Sequence, residues 1–204
     1  MNYRWQETIK ILIPGFYLTI GMLVCLLVAD NPFENGLFLV AEKLSVYILV
    51  LLLFVAFIVG FVNEVISGEI EYLMYRLGVP RPSLLILKNV FCRYCVYDIS
   101  KLKKKLSIDH DERIDNEKAA TCLRKAKQSI DMEICKELYY QSVLSRNLFV
   151  AHLIVTFLIL IFVSFSFKII FFLLVLSVLL GWQWWKMNMV YVKNIFVEFL
   201  GSKD

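Results

Sequence analysis

Four long apolar runs alternate with polar stretches along this chain of 204 residues. The runs are Ile11–Ala29, Leu44–Asn63, Asn147–Phe165 and Ile169–Trp185. None of them has Asp, Glu, Lys or Arg in its interior. A helix needs about 20 residues to cross a hydrocarbon core about 30 Å thick, and its backbone amides in lipid must be paired within the segment. The pattern therefore predicts four transmembrane helices.

The first run contains a proline close to its start. Pro14 and Gly15 are the fourth and fifth residues of Ile11–Ala29. A proline costs least in the first turn of a helix, where its missing N–H has no partner to lose. We therefore expect both residues to lie in the first turn of the first membrane helix.

A mostly polar block separates the second run from the third. It divides the chain into residues 1–63, 64–146 and 147–204. Apolar residues at spacings of three and four continue the second helix as far as Leu77. Gly78 and the Pro80-Arg81-Pro82 cluster then end it.

The second half of this block predicts another helix. Asp115 or Asn116 is a suitable N-cap, and no Gly or Pro follows before the third run. We expect one unbroken helix from about Glu117 to about Phe165, whereas residues 84–102 are mixed and fit no single element. The predicted fold is an all-α integral membrane protein with four transmembrane helices and a stalk-like α-helical insertion between helices 2 and 3.

Composition and charge agree with this fold and predict its orientation. Hydrophobic residues make up 59% of the chain and the mean hydropathy is +0.67, whereas soluble domains are roughly 45–50% apolar. Of 22 Lys and Arg, 20 lie in the two terminal tails or the middle block, and only Lys43 and Lys168 lie in the other two connections. The positive-inside rule places both termini and the block in the cytoplasm. Four tryptophans lie near the cytoplasmic ends of the predicted helices and predict an interfacial aromatic belt: Trp5, Trp182, Trp184 and Trp185.

Basic residues of the block are the first candidates for a contact surface. Lys101, Lys103, Lys104 and Lys105 form a cluster, and Arg146 lies at the start of the third run. Such a cluster fits anionic lipid headgroups, a partner protein or a solvated face. Arg146 is expected to be a juxtamembrane anchor on lipid phosphate. A net charge of +4 is too mild to predict a direct nucleic-acid binder.

His152 is an ionisable residue inside a membrane run. Such groups usually face the protein interior or a wet cavity, so we expect an interhelical hydrogen bond, with a pore-lining role as the alternative. Arg146 and His152 also have the R-x5-H spacing of HEPN-class ribonucleases. Catalysis would need water and a phosphodiester to reach His152, so nuclease activity is not expected.

The cysteines and the small residues each fit more than one role. Cys92 and Cys95 form a C-x-x-C that suits half of a zinc site, completed by Cys122, Cys135 or His110, or a redox pair. Cysteines near a membrane are also candidates for palmitoylation. The spacings match no standard finger, so ordinary packing is preferred, and neither a metal nor a cofactor is expected. The pairs Ala56-x3-Gly60 and Ser177-x3-Gly181 favour close helix packing, either within one chain or between chains.

The layout resembles the KwaA-type membrane subunit of the Kiwa anti-phage defence system. The resemblance rests on the opening Ile11-Leu12-Ile13-Pro14-Gly15-Phe16, the insertion between helices 2 and 3, and the stretch Tyr139–Asn147. It implies a bacterial inner-membrane protein that senses infection, homo-oligomerises and works with a soluble partner that binds DNA. No catalytic residue carries over from this resemblance.

Three functions follow from these observations. The preferred one is a non-enzymatic sensor and scaffold that recruits a cytosolic protein through the middle block. The alternative is a regulated ion-conducting pore or membrane-disrupting effector that the stalks open. A membrane enzyme ranks last, since the chain has no phosphate loop, H-E-x-x-H or G-x-S-x-G motif.

Overall fold

The residues that the structure describes are mostly helical, as the sequence predicts. A computed structural model describes residues 3–30, 46–109, 112–162 and 167–202, and these ranges contain no strand. The helices are α1 (Tyr3–Asp30), α2 (Val46–Arg76), α3 (Pro82–Leu87), a 3-10 turn (Cys92–Tyr94), α4 (Ile99–Lys105), α5 (Asn116–Gln128), α6 (Lys136–Phe162) and α7 (Phe167–Gly201).

Four of these helices are long and apolar enough to cross a membrane. Their candidate spans are Trp5–Cys25, Val50–Arg76, Lys136–Ile161 and Phe167–Gly201. The number of spans predicted from the sequence is therefore confirmed. The predicted position of Pro14 in the first turn of the first membrane helix is wrong. Helix α1 begins at Tyr3, so Pro14 lies in its interior.

The end of α2 and the start of α5 follow the predicted signals. Gly78 has φ of 98°, and the Gly78 and Val79 amides donate to the carbonyls of Tyr75 and Met74 at 3.4 and 3.1 Å. These are the two hydrogen bonds of a Schellman motif, in which glycine accepts the left-handed backbone most readily. Asp115 caps α5 by accepting a hydrogen bond from the backbone N–H of Lys118 at 2.8 Å.

Asn116, the second N-cap candidate, connects α5 to the end of α2. Its Nδ2 donates to the backbone oxygens of Tyr75 and Val79 at 3.2 and 3.0 Å, and its Oδ1 accepts from the Arg81 amide at 2.9 Å. Carbonyls in the last turn of a helix have no donor within the helix. The Asn116 side chain supplies one to Tyr75.

The predicted unbroken helix from Glu117 to Phe165 is wrong. Helix α5 ends at Gln128, and α6 begins at Lys136. In the break, Ser129 Oγ donates to the Lys125 carbonyl at 3.0 Å, and Asp131 Oδ1 accepts from the Glu133 amide at 3.0 Å. Short polar side chains that hydrogen-bond to nearby backbone compete with the helical ladder, which is why a helix can end here without Gly or Pro.

The described chain divides into two compact units. The spanning unit comprises Met1–Glu69 and Val143–Trp184, and the insertion unit comprises Ile70–Ser142 and Trp185–Asp204. Helices α2, α6 and α7 contribute residues to both units. The stretch 84–102, unassigned from sequence, forms α3, the 3-10 turn and the first residues of α4.

Close helix packing holds the spanning unit together. A Cβ on Gly15 would collide with the Ala56 carbonyl oxygen and lie 2.6 Å from the Gly60 amide nitrogen. One on Gly60 would collide with the Ile11 carbonyl oxygen. The Ala56-x3-Gly60 pair therefore serves packing of α1 on α2 within one chain. Gly181 likewise lies against the Phe149 ring.

The insertion unit has a hydrophobic core of its own, to which α3–α7 all contribute. Helix α7 supplies much of it, through Met189, Tyr191, Val192, Ile195, Phe196, Phe199 and Leu200. The C-terminal segment that the sequence suggested as a tail is therefore a continuous helix whose apolar residues are buried.

The four tryptophans do not form a uniform surface belt. Trp5 and Trp182 are 70% and 60% exposed. Trp184 is buried and stacks on Phe149 with ring centroids 5.6 Å apart. Trp185 is half-buried within the insertion unit. Two of the four residues thus have packing roles.

Candidate functional site

The predicted lysine cluster lies on α4, and its members differ in their surroundings. Lys101 and Lys104 are exposed, and Lys103 is half-exposed. The Nζ of Lys105 donates to the Ser202 backbone oxygen at 2.5 Å and lies 5.0 Å from the Phe199 ring centroid. Lys105 therefore packs against the C-terminal end of α7.

The surface around the other three lysines is extended by α5. Lys125 is exposed, and its Nζ lies 3.4 Å from the Oγ of Ser107, just beyond the end of α4. We call Lys101, Lys103, Lys104 and Lys125 the basic face.

A carboxylate caps the helix that carries this face. Asp98 accepts hydrogen bonds from the backbone N–H of Lys101 and the hydroxyl of Ser100, both at 2.9 Å. The hydrogen bond from the Lys101 N–H is the main cause that lowers the pKa of Asp98, and the hydrogen bond from the Ser100 hydroxyl lowers it further. The carboxylate is thus engaged by the start of its own helix.

Asn147 is the centre of a buried polar connection in the spanning unit. Because Pro14 lies inside α1, it has no N–H to donate to the carbonyl of Lys10, four residues before it. The Nδ2 of Asn147, a fully buried residue, donates to that carbonyl at 3.2 Å. The Nδ2 of Asn63 in turn donates to the Asn147 carbonyl at 3.0 Å. Asn147 thus replaces the hydrogen bond that proline removes, and α1, α2 and α6 meet at this point.

Charged groups lie beside this connection. Lys10 Nζ and Glu64 Oε1 form an ion pair at 2.9 Å, with side chains 15% and 22% exposed. The Nε of Arg146 donates to the Oδ1 of Asn147 at 3.4 Å. Arg146, expected on lipid phosphate, therefore also contacts the polar connection inside its own chain.

His152 is fully buried and joins three helices of the spanning unit. Its Nε2 lies 3.1 Å from the Leu173 carbonyl oxygen on α7, so this nitrogen must carry a proton. In the neutral ring Nδ1 is then an acceptor, and the Tyr17 hydroxyl of α1 donates to it at 2.7 Å. This is the interhelical hydrogen bonding that the sequence predicts. Arg146 and His152, the two residues of the R-x5-H spacing, have different partners: Arg146 contacts Asn147, and His152 contacts Tyr17 and Leu173.

The cysteines do not assemble a metal centre within the residues that the structure describes. No group of three or more His, Cys, Asp or Glu suited to a metal is found there, and the Cys92 side chain and His110 lie outside what the structure describes. The Sγ of Cys95 donates to the Phe91 carbonyl at 3.0 Å. Cys122 and Cys135 are buried, and burial raises the pKa of both thiols. Raised pKa values favour the less reactive thiol form.

A polar cluster in the insertion unit was not predicted from the sequence. Glu71 Oε1 accepts hydrogen bonds from the Tyr75 hydroxyl at 3.0 Å and from Asn188 Nδ2 at 3.1 Å. The Arg81 guanidinium lies 4.6 Å from the centroid of the Tyr75 ring. The spacing of Glu71 and Tyr75 on one helix was a usable signal. Nothing local indicated Asn188, which is 117 residues away.

Lys127 is a second polar residue that the sequence did not single out. Its Nζ lies 5.0 Å from the centroid of the Tyr191 ring. Burial lowers the pKa of Lys127, and the negative charge of Glu71 opposes that change. This ammonium therefore contacts an aromatic face in the insertion unit.

Comparison of the chain with protein families, with curated proteins and with solved structures gives no match.

Proposed function

We propose that this chain is a non-enzymatic sensor and scaffold of a bacterial inner membrane that recruits a soluble cytosolic protein. The observation that carries the proposal is that the insertion unit is a compact helical module with its own core, built partly from helices that also contain the membrane spans. A folded module attached to membrane helices is suited to present a surface. The proposal keeps both termini in the cytoplasm, as the distribution of basic residues favours.

The basic face is the proposed recruiting surface. The lysines of this face project from α4 and α5. Buried apolar residues of the two helices, Leu102 and Ala126 among them, hold both helices in the core. A rigid cationic surface is complementary to an acidic surface on a protein, and such complementarity determines partner choice and association rate. The resemblance to Kiwa membrane subunits supports a soluble DNA-binding partner in anti-phage defence, with DNA contacted by that partner. It also supports a homo-oligomer in the membrane.

Helix continuity supports a sensing role. Helices α2, α6 and α7 each contribute residues to both units. A rigid helix can carry a displacement along its length if it has two stable arrangements. We propose that a disturbance of the envelope alters the spans and thereby the presentation of the basic face.

The test is purification of tagged protein from its native host in mild detergent, followed by native mass measurement and identification of co-purifying chains. We expect a homo-oligomer with a stoichiometric soluble partner. The double variant Lys101→Glu/Lys104→Glu should lose the partner while the mass of the membrane assembly stays the same. The control Arg113→Glu/Arg124→Glu makes the same charge change at two other exposed positions of the insertion unit and should retain it.

A homo-oligomer without a partner would contradict the scaffold function, and ion flux from liposomes would then be measured to test the pore function. Equal partner loss in both double variants would contradict the basic face as the recruiting surface. The structure gives no specific support to a His152-lined pore, because both ring nitrogens of His152 are hydrogen-bonded within one chain.

A further inference from the structure

The segment between α3 and α4 presents apolar side chains on the surface of the insertion unit. Val90, Phe91 and Tyr97 are 54%, 42% and 79% exposed. Lys88 and Arg93 beside them are exposed as well. We call residues 88–97 the interfacial loop.

The backbone of this loop is held by hydrogen bonds of its own. Asn89 has φ of 56°, and the amides of Asn89 and Val90 donate to the carbonyls of Ile86 and Leu85 at 3.0 and 3.1 Å. This is a Schellman-type end to α3 with Asn in the left-handed position. The Tyr94 amide donates to the Phe91 carbonyl at 2.9 Å. Paired backbone groups allow a segment to approach lipid without a large desolvation cost.

Two ring contacts link the loop to the end of the fourth apolar run. The Phe91 and Tyr94 rings pack edge-on against Trp185, with centroids 5.2 and 5.9 Å from the indole. Trp185 is the last residue of the fourth apolar run, and the next residue is Lys186. Tryptophan followed by lysine at the end of an apolar run is typical of the membrane–water interface. Phe91 therefore contacts a residue that the sequence predicts at the boundary.

The charges of the loop match that environment. From Pro82 to Tyr97 the chain has Lys88 and Arg93 but no carboxylate. Cations beside aromatic residues suit a surface where anionic headgroups meet hydrocarbon.

We propose that the interfacial loop binds the surface of the membrane that α7 spans. Phe91, Val90 and Tyr97 enter the boundary between headgroups and hydrocarbon, and Lys88 and Arg93 contact the headgroups of anionic phospholipids. The contact ties the insertion unit to the bilayer whether or not the basic face recruits a partner.

Photo-crosslinking of the full chain in lipid vesicles tests the proposal. The photoreactive residue p-benzoylphenylalanine replaces Phe91 in one variant and Tyr97 in another. The yield of lipid adducts is measured for each variant in vesicles of phosphatidylcholine with one-third phosphatidylglycerol. The positive control is the same substitution at Trp182, an exposed residue of the fourth span. The negative control is Ile134, which is 61% exposed. Ile134 precedes α6 and lies about 20 Å along the chain from the third apolar run at 1.5 Å per residue.

We expect lipid adducts at positions 91 and 97 in yields close to those at position 182 and well above those at position 134. Lys88→Glu/Arg93→Glu should lower the yield at position 91 by about fivefold per cation in the anionic vesicles. It should leave the yield unchanged in pure phosphatidylcholine. Helix content and elution volume show that each variant is folded.

Two results would overturn the proposal. One is a yield at position 91 as low as at position 134 while position 182 is labelled. The other is adducts to a second copy of the chain in place of lipid, which would make the loop an oligomer contact. A yield at position 91 that is the same with and without phosphatidylglycerol would refute the headgroup contact.

Discussion

Replacing Asn147 by leucine should destabilise the spanning unit, because the Lys10 carbonyl then loses its donor. Leucine has the same branched arrangement of four side-chain heavy atoms as asparagine, so the substitution leaves no cavity. A buried acceptor left without a partner costs about 1–3 kcal/mol. Hydrogen bonds between membrane helices average about 0.6 kcal/mol and reach about 1.7 kcal/mol. We therefore expect Asn147→Leu to lower the free energy of unfolding by about 1–2 kcal/mol.

Pro14 provides a specific test of this explanation. Pro14→Ala restores an N–H that can donate to the Lys10 carbonyl along α1. In that background the carbonyl keeps a donor when Asn147 is lost. The cost of Asn147→Leu should therefore fall by about 1 kcal/mol, the contribution of one hydrogen bond.

The assay is unfolding of the purified variants in mixed micelles by increasing sodium dodecyl sulfate, followed by circular dichroism. Asn194→Leu is a matched control, because the Asn194 side chain donates to the Val190 carbonyl of its own helix at 2.9 Å. Its cost should be the same with Pro14 or with alanine. If Asn147→Leu costs equally much in both backgrounds, Asn147 does not replace the missing proline N–H.

The same unfolding assay checks three further predictions. Tyr17→Phe should cost about 0.6–1.7 kcal/mol in the native chain and close to nothing once His152→Leu has removed the acceptor; an equal cost in both would exclude the Tyr17–His152 hydrogen bond. Gly60→Ala should destabilise the chain, because its Cβ would overlap the Ile11 carbonyl oxygen. Gly68→Ala, in the same helix with open space around it, should be neutral or gain up to about 1 kcal/mol; similar effects at both glycines would contradict the close helix crossing. The folded chain lowers the pKa of Lys127 below its unfolded value of 10.5. Below the folded pKa, the buried ammonium therefore costs stability. This cost disappears as the pH rises from the folded pKa to 10.5. The stability difference between Lys127→Met and the native chain should therefore change over this alkaline range, and a difference independent of pH would contradict the burial of the ammonium.

Helix type and helix ends were the most predictable features of the fold. A membrane run is a local sum of apolar residues, and each of its backbone amides is paired within the run, so four spans follow from hydropathy. The Gly78 stop and the Asp115 cap are equally local, since each satisfies backbone groups within a few residues. The break after Gln128 was missed because Ser129 and Asp131 are weaker signals than Gly or Pro.

The candidate sites depended on the tertiary structure. Sequence placed His152 inside a membrane run and predicted that it would hydrogen-bond, but its partners Tyr17 and Leu173 lie 135 and 21 residues away. The lysine cluster was visible from sequence, whereas the contact of Lys105 with Ser202 was not, because the two are 97 residues apart.

By itself, the sequence determined that the chain is helical and has four stretches able to span a membrane, because both properties arise from interactions within a few turns of one helix. Only the tertiary structure decided which carbonyl receives the Asn147 side chain, that Trp184 is buried while Trp182 is exposed, and that the last turns of α7 complete the core of the insertion unit. These outcomes depend on which faces of distant helices meet. Local hydrophobicity does not specify that, because any apolar face can pack against many others.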